Sequence, residues 1–369
     1  MTTPKAQQFS ESRRKFLLRA AGLGGAGLSA SLGLAAAKAR AEGKEFRLGI
    51  MNLVKYSHLG IWGPLIEPFT GMRITHCWDI EPEIAKSVAK RYQCTAVKNF
   101  DDMLGKVDGV ISGGFFNHGW NHIIHEPYLK AGLPHLITRP FSNSIEKAQQ
   151  MIEMAQKHGA TIICPSSFEH TNATARAKAW AKDKKITCYS ATNSTDDYPT
   201  HGIHGVYFVC RAITEVGNPV VSVAYQAKEW FRHPALLTYE HRDTEGRQFF
   251  GSLHNVGATL ATIRIHAPGE YGGKGFRLEP GTGYPYNKTE LWAPTLWAYE
   301  AMARGDGMPQ TFDQLLHKHK VFMAGFWSIL KKDGRAARLD EVPGEWESPV
   351  ALPNRPSEQT YKLFKKKFG

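Results

Sequence analysis

From residue 45 onward the chain alternates short apolar runs with amphipathic stretches, the pattern of a parallel sheet whose strands are joined by helices. The clearest unit is 107–140. Val107, Val110 and Ile111 form an apolar run that stops at Ser112-Gly113-Gly114, and a polar and aromatic loop with Asn117 and His118 follows. A helix-like segment then leads through Ala131-Gly132 to a second run, Leu136-Ile137, and on to Thr138-Arg139-Pro140. This order predicts one βαβ unit. Ligands of such sheets sit off the carboxyl ends of the strands, so 113–118 and 138–140 are expected to line one crevice.

The same reading extends to both sides. Residues 45–51 read as the first strand, and the loop after it offers Asn52, Lys55, Ser57 and His58, with Ser57 placed to cap a helix beginning near His58. The G-x-G-x-x-G that lets a pyrophosphate approach the backbone is absent from this loop. A second strand over 73–78 ends at Asp79. That acid is placed either to accept hydrogen bonds from a ribose, disfavouring a 2′-phosphate by its charge, or to cap the helix opened by Glu81-Pro82-Glu83. Asn143 and Glu146 have the spacing of a capping box for a helix with Ile145, Ala148, Ile152 and Ala155 on one face, closed by Gly159. Residues 161–165 read as the last strand of a first domain. Later, 221–227, 236–240 and 258–266 alternate as strands of one sheet, and a helix starting near Ile203 would set His204 and Tyr207 on one face. The loop 268–283 and its surroundings carry Tyr271, Tyr284 and Tyr286, flat side chains with polar tips that suit sugar rings.

Composition narrows the function. With 369 residues, 42% of them hydrophobic, the chain can bury a large core in two domains. The net charge of +12 suggests nucleic acid until the first 41 residues are set apart: they hold seven Lys or Arg against Glu11, leaving 39 basic and 33 acidic residues. No recognition motif accompanies that small excess, part of which is Lys365-Lys366-Lys367, so nucleic-acid binding is not expected. In the leader, Arg13-Arg14 precede a mild stretch of Ala, Gly, Leu and Ser, with small-residue cleavage sites at Ala39 and Ala41. It resembles a twin-arginine signal, which implies a periplasmic or extracytoplasmic protein exported already folded, without stable membrane insertion. The five cysteines show no CxxC spacing, against both a disulfide framework and a zinc knuckle. His201 and His204 lack further ligands at suitable spacing, so no metal is expected.

The order of these elements resembles the Gfo/Idh/MocA oxidoreductases over roughly 45–341. The resemblance rests on Asp79 followed by a helix with Ala85 and Ala89, on Val107-Asp108-Gly109-Val110-Ile111, on Asn117, His122 and Ala131-Gly132, and on an x-x-Pro before a capped helix. The late segments 308–315 and 333–339 also look like that family's carboxyl-terminal helices. The resemblance implies an α/β fold: an amino-terminal Rossmann-like parallel sheet followed by an α/β domain with an open, mainly antiparallel sheet, through which relatives commonly dimerise. It divides the chain into a signal peptide at 1–41, a nucleotide-binding domain at 44–165, a substrate and dimerisation domain at 166–345 and a tail at 346–369.

The family's chemistry implies an NAD(P)-dependent oxidoreductase acting on a sugar- or cyclitol-like substrate. A lyase or glycosidase that recycles its nicotinamide, and a cofactor-free sugar-binding protein, are the alternatives. Cofactor contacts are expected from Asn52, Ser57, His58, Asp79, Gly113, Gly114, Asn117 and Arg139, with Asp79 favouring NAD over NADP. Two departures matter. The Gly-rich loop is missing, and the family's Glu-Lys-Pro is Thr138-Arg139-Pro140, so Arg139 can orient an oxygen but cannot act as acid or base. His204 matches the family's histidine and is expected to exchange the proton, with Tyr207, in place of an acid, supporting it.

Overall fold

The computed structural model describes residues 45–53, 59–114, 116–193, 198–231, 233–256, 261–278, 288–352 and 355–369. Ser57 and His58, like the leader, Lys55, Tyr284 and Tyr286, lie outside the described residues.

The first unit runs β1 (Arg47–Met51), α1 (Leu59–Thr70), β2 (Arg73–Trp78), α2 (Pro82–Tyr92), β3 (Thr95–Ala96), β4 (Gly109–Ser112), two short helices α3 (Asn121–Ile124) and α4 (Glu126–Lys130), β5 (Pro134–Ile137), α5 (Ile145–His158) and β6 (Thr161–Ile163). Its strands lie in the order β3-β2-β1-β4-β5-β6, every pair parallel, which is the doubly wound order. All four residues of β4 are buried, as they must be in a strand covered on both faces. The chain runs outward from β1 to β2 and β3, then crosses back to place β4 on the other side of β1, so the carboxyl ends of β1 and β4 form the switch point where such sheets bind ligands. The start of α5 differs by one residue from expectation. Ser144 is the cap, accepting from Lys147 N at 3.2 Å, while the Asn143 amide donates instead to Glu347 at 2.9 Å. Gly159 closes the helix at φ 71°, where a side chain would be strained.

The second unit runs α6 (Asn172–Ala181), β7 (Cys188–Asn193), a π-helical turn over Tyr198–Gly202, α7 (Ile203–Ala212), β8 (Val220–Gln226), β9 (Ala235–Arg242), β10 (Gln248–Asn255), β11 (Thr262–His266) and β12 (Lys274–Arg277). With β13 (Ala337–Arg338) these strands form a sheet ordered β12-β11-β7-β10-β9-β8-β13, antiparallel except for β7 with β10. The architecture is therefore α/β, with a parallel nucleotide-type sheet followed by a mainly antiparallel one. The outward face of the second sheet carries Thr192, Thr238, Glu240, Ser252 and Arg264, with the Phe250 side chain half exposed.

Three later helices stitch the units together: α8 (Lys288–Ala303), α9 (Phe312–Lys331) and α10 (Arg355–Phe368). Although α8 follows the second sheet, it packs on the first. Trp292 meets Trp62 at 5.1 Å, Trp297 donates to Phe69 O at 3.0 Å, and the Tyr299 hydroxyl reaches the carbonyls of Val110 and Pro134 at 3.3 and 3.2 Å. The second sheet is held by α9, whose Ser328 hydroxyl accepts from Tyr225 N at 2.9 Å. The stretch read as a tail from its terminal lysines contains α10, whose Phe364 is buried within the first unit.

Several histidines are enclosed by this packing. His125 and His135 face each other at 3.0 Å between α3 and β5, and His241 and His319 are as deeply buried. Burial holds His125 down to about 3 and His241 and His319 to about 4, with His135 also well below its ordinary range. Each binds a proton when unfolded below about pH 6.5 and stays neutral when folded, so the stability it contributes above that pH is lost as the pH falls. The free energy of unfolding is expected to drop between about pH 6.5 and 4, with a slope of up to about 1.4 kcal/mol per pH unit for each such group. Urea melts across this range check it. A stability that is flat from neutrality to about pH 5 contradicts the neutral assignment.

Candidate functional site

At the carboxyl end of β5 the chain runs Thr138-Arg139-Pro140, and the Arg139 side chain is carried to the second unit, where it is 1% exposed. Its Nη2 and Nε approach His204 Nε2 at 2.7 and 3.2 Å. A guanidinium has only donors, so Nε2 must offer its lone pair and the ring proton must sit on Nδ1. There it donates to Ser166 Oγ, 2.6 Å away. The first turn of α7 presents the ring, and Phe168 packs on it with centroids 4.9 Å apart. Burial first, then the charge of Arg139, pushes His204 well below its ordinary range. The imidazole is neutral and its orientation is set from both sides.

Behind it lies a chain of polar groups. Ser166 Oγ also accepts from Phe168 N at 3.0 Å, and Ser166 N donates to Glu169 at 2.6 Å. The other Glu169 oxygen accepts from Lys318 Nζ of α9 at 2.8 Å, with both side chains 2% exposed. Burial raises Glu169, and Lys318 opposes that shift. Arg139, His204, Ser166, Glu169 and Lys318 thus form one connected path from the first sheet to α9.

Other expected residues are placed differently. Tyr207 is three residues after His204, yet its ring is fully buried beneath Lys318 Nζ, 4.3 Å from the centroid. Burial pushes its phenol well above the ordinary range. The ring packs at the base of the path, and its buried hydroxyl has no hydrogen-bond partner among the described residues. Asp79 is 4% exposed and its two oxygens accept from Leu53 N at 2.5 Å and Glu81 N at 2.9 Å. Its carboxylate therefore joins the loop after β1 to the turn before α2, whose N-cap Glu81 has no side-chain cap.

Gly113 and Gly114 are needed for contact within the chain itself. A Cβ on Gly113 would lie 2.6 Å from Leu59, and one on Gly114 would lie 2.3 Å from Asn117 and 2.9 Å from Asn52. The Asn117 amide donates to Asn121 at 2.9 Å. Asn52 holds φ 59°, a conformation asparagine tolerates, and its amide donates to Ser112 Oγ at 2.7 Å. Two buried side-chain oxygens at the strand ends, Asn52 Oδ1 and Thr138 Oγ1, have no hydrogen-bond partner. Ser57 and His58 lie outside the described residues.

Sequence reasoning placed Thr138 on the crevice but missed Ser166, Glu169 and Lys318 as site residues. Ser166 and Glu169 were visible as the polar stretch after Pro165, whereas Lys318 stands 149 residues from its partner and only the fold joins them. Among the described residues no group of three or more His, Cys, Asp or Glu could hold a metal ion, and no helix is long and apolar enough to cross a membrane.

The model of the GFO_IDH_MocA family, described as an oxidoreductase family with an NAD-binding Rossmann fold, matches residues 56–165. No curated protein matches the sequence. Among solved structures, a probable dehydrogenase from Thermotoga maritima superposes with a TM-score of 0.66 at 13% identity, covering 81% of this chain and 100% of its own. A putative myo-inositol dehydrogenase from Sinorhizobium meliloti 1021 reaches 0.63 at 13% identity, covering 80% and 99%. An oxidoreductase from Agrobacterium radiobacter in complex with NAD+, L-tartaric acid and magnesium reaches 0.62 at 12% identity, covering 80% and 99%. At such identities the likeness is one of fold: the first unit is similar to the NAD-binding domain of the GFO_IDH_MocA family, and the two units together are similar to dehydrogenases built on it.

Proposed function

We propose that the protein is a nicotinamide-dependent oxidoreductase acting on a carbohydrate-like alcohol or carbonyl, with Arg139 and His204 at the reacting oxygen. One observation carries the reading: a guanidinium from the β5 end of the nucleotide-type sheet meets a neutral imidazole from the second unit at 2.7 Å, at the end of the crevice where β1 and β5 finish. The unmatched oxygens of Asn52 and Thr138 at those same strand ends suit the amide and ribose groups of a nicotinamide nucleotide. When bound, that group supplies hydride transfer.

The protein's own residues handle orientation and the proton. Arg139 keeps a fixed positive charge toward a substrate oxygen and cannot release a proton. His204 Nε2 is the lone pair available to a hydroxyl, once an oxygen replaces one of the Arg139 donors. Ser166 and Glu169 hold the ring while it is protonated, and Asp79 disfavours a 2′-phosphate by charge, which favours NAD over NADP. A substrate of the sugar or cyclitol class agrees with the inositol dehydrogenase among the structural neighbours. The outward face of the second sheet is the surface through which a second copy would pair. Asp79, fully engaged within the chain, favours one other reading, a cofactor-free sugar-binding protein.

Mass spectrometry of small molecules released from the denatured protein separates the two. A nicotinamide nucleotide is expected, and its absence together with failure to rebind NAD or NADH favours the binding protein. With a substrate found by screening sugars and cyclitols, His204→Ala should lower turnover by about 10² to 10⁴-fold. Arg139→Lys should act mainly on binding and orientation. Because His204 is held low, the acid limb of the rate profile is expected below about pH 6.5. A normal rate in His204→Ala, with the fold intact, moves the proton elsewhere.

The leader supports export by the twin-arginine route. Replacing Arg13 and Arg14 by Lys is expected to retain the protein in the cytoplasm, as fractionation of cells would show. Unimpaired export of that variant refutes the route.

A further inference from the structure

The helix α10 packs on rings carried by the end of β2 and by the segments that follow β3 and β4. Trp78 ends β2, Phe100 follows β3, and Trp120 follows β4. On these three rings α10 sets a row of its own. Phe364 stacks on Trp120 at 5.5 Å and meets the edge of Trp78 at 6.3 Å, Tyr361 reaches Trp120 at 5.1 Å, and Phe368 packs on Phe100 at 5.7 Å. Lys367 Nζ stands 5.5 Å above the Trp78 ring, and the Thr360 hydroxyl donates to Glu81 at 2.7 Å. Phe364 is 2% exposed and Trp78 1%. These contacts fasten α10 to the first turn of α2 and to the strand ends beside Asp79.

In a doubly wound sheet the dinucleotide spans the switch point, with its adenosine toward the end of β2 and its nicotinamide toward β4 and β5. The nicotinamide side of this crevice ends at Arg139 and His204. On the other side, Trp78 at the end of β2 is covered by Phe364 and Lys367 of the chain's own carboxyl terminus, and Glu81 just beyond it is held by Thr360. We propose that α10 is a strap seated in the adenosine half of the crevice, so that an adenine dinucleotide is admitted only when α10 leaves. The inference rests on the nucleotide reading of the preceding section and adds a regulation to it. The apparent affinity for nucleotide is the intrinsic affinity scaled by the fraction of molecules with α10 released. Substitutions that loosen the strap therefore tighten nucleotide binding while leaving Arg139 and His204 untouched. Loss of aromatic contacts in a binding site ordinarily weakens a ligand, so the opposite sign is diagnostic.

The test uses the full chain with ADP-ribose, which carries the adenosine half and both phosphates and lacks the nicotinamide. Its binding is measured by calorimetry for the unaltered protein and for Phe364→Ser and Thr360→Ala, alongside hydrogen exchange of α10 with and without saturating ADP-ribose. The strap predicts a dissociation constant at least about tenfold lower in Phe364→Ser. It also predicts faster exchange throughout α10 when ADP-ribose binds the unaltered chain, a readout that holds even if Phe364→Ser fails to fold. Weaker binding in both variants, or slower exchange of α10 in the complex, makes the helix a wall of the binding site and overturns the strap. ADP-ribose binding that leaves exchange of α10 unchanged also overturns it, with the nucleotide reading intact. No binding by any of the three proteins overturns the nucleotide reading and the strap together.

Discussion

The contact of Arg139 with His204 is where the two units of this protein depend on each other. A cation brought 1% exposed to a buried imidazole is tolerable only because the imidazole is neutral and offers a lone pair. That in turn requires Nδ1 to have an acceptor, which Ser166 provides, and Ser166 is held by Glu169, whose buried charge is balanced by Lys318. Breaking a buried pair such as Glu169 with Lys318 by removing one partner typically costs about 3–5 kcal/mol, because the remaining charge is stranded. Residues far apart in sequence therefore control the orientation of the His204 ring.

The return of the chain to the first unit has a related effect. α8 pins the carbonyls of Val110 and Pro134 through Tyr299, and α10 packs on the rings at the ends of β2, β3 and β4. Both helices follow the second sheet, so the two units are interleaved rather than strung on a linker. The carboxyl ends of the first sheet are consequently bordered by three parts of the chain: the β1 loop fastened by Asp79, the second unit fastened by Arg139, and α10.

How much of this could be read from the sequence depended on whether the information was local. The βαβ unit at 107–140 and the strand ending at Asp79 follow from hydrophobic periodicity, and the structure has them as β4, β5 and β2; the helix beginning near Ile203 was implied by the family resemblance and is α7. The capping box expected at Asn143 is replaced by a simple cap at Ser144, while Asn143 has a long-range partner, Glu347, which no local pattern can reveal. Tyr207 was assigned to the site by helical spacing from His204; that its ring is buried beneath Lys318 depends on α9, which no local pattern places there. The tail was read from its lysines. Its aromatic residues Tyr361, Phe364 and Phe368, also at helical spacing, mark the face that actually packs. Asp79 ends β2 as expected, and the hydrogen bonds its carboxylate accepts from Leu53 N and Glu81 N come from backbone contacts that no sequence pattern announces.

The central claim is that a neutral His204, protonated on Nδ1 toward Ser166 and accepting from Arg139 on Nε2, joins the two units at the crevice. Nitrogen-15 NMR of the histidine rings, with His204 identified by comparison with His204→Gln, tests it most directly. The account predicts a single Nδ1–H tautomer whose shifts stay constant as the pH is lowered through about 6.5. An imidazole that titrates near that value, or one carrying its proton on Nε2, would contradict it.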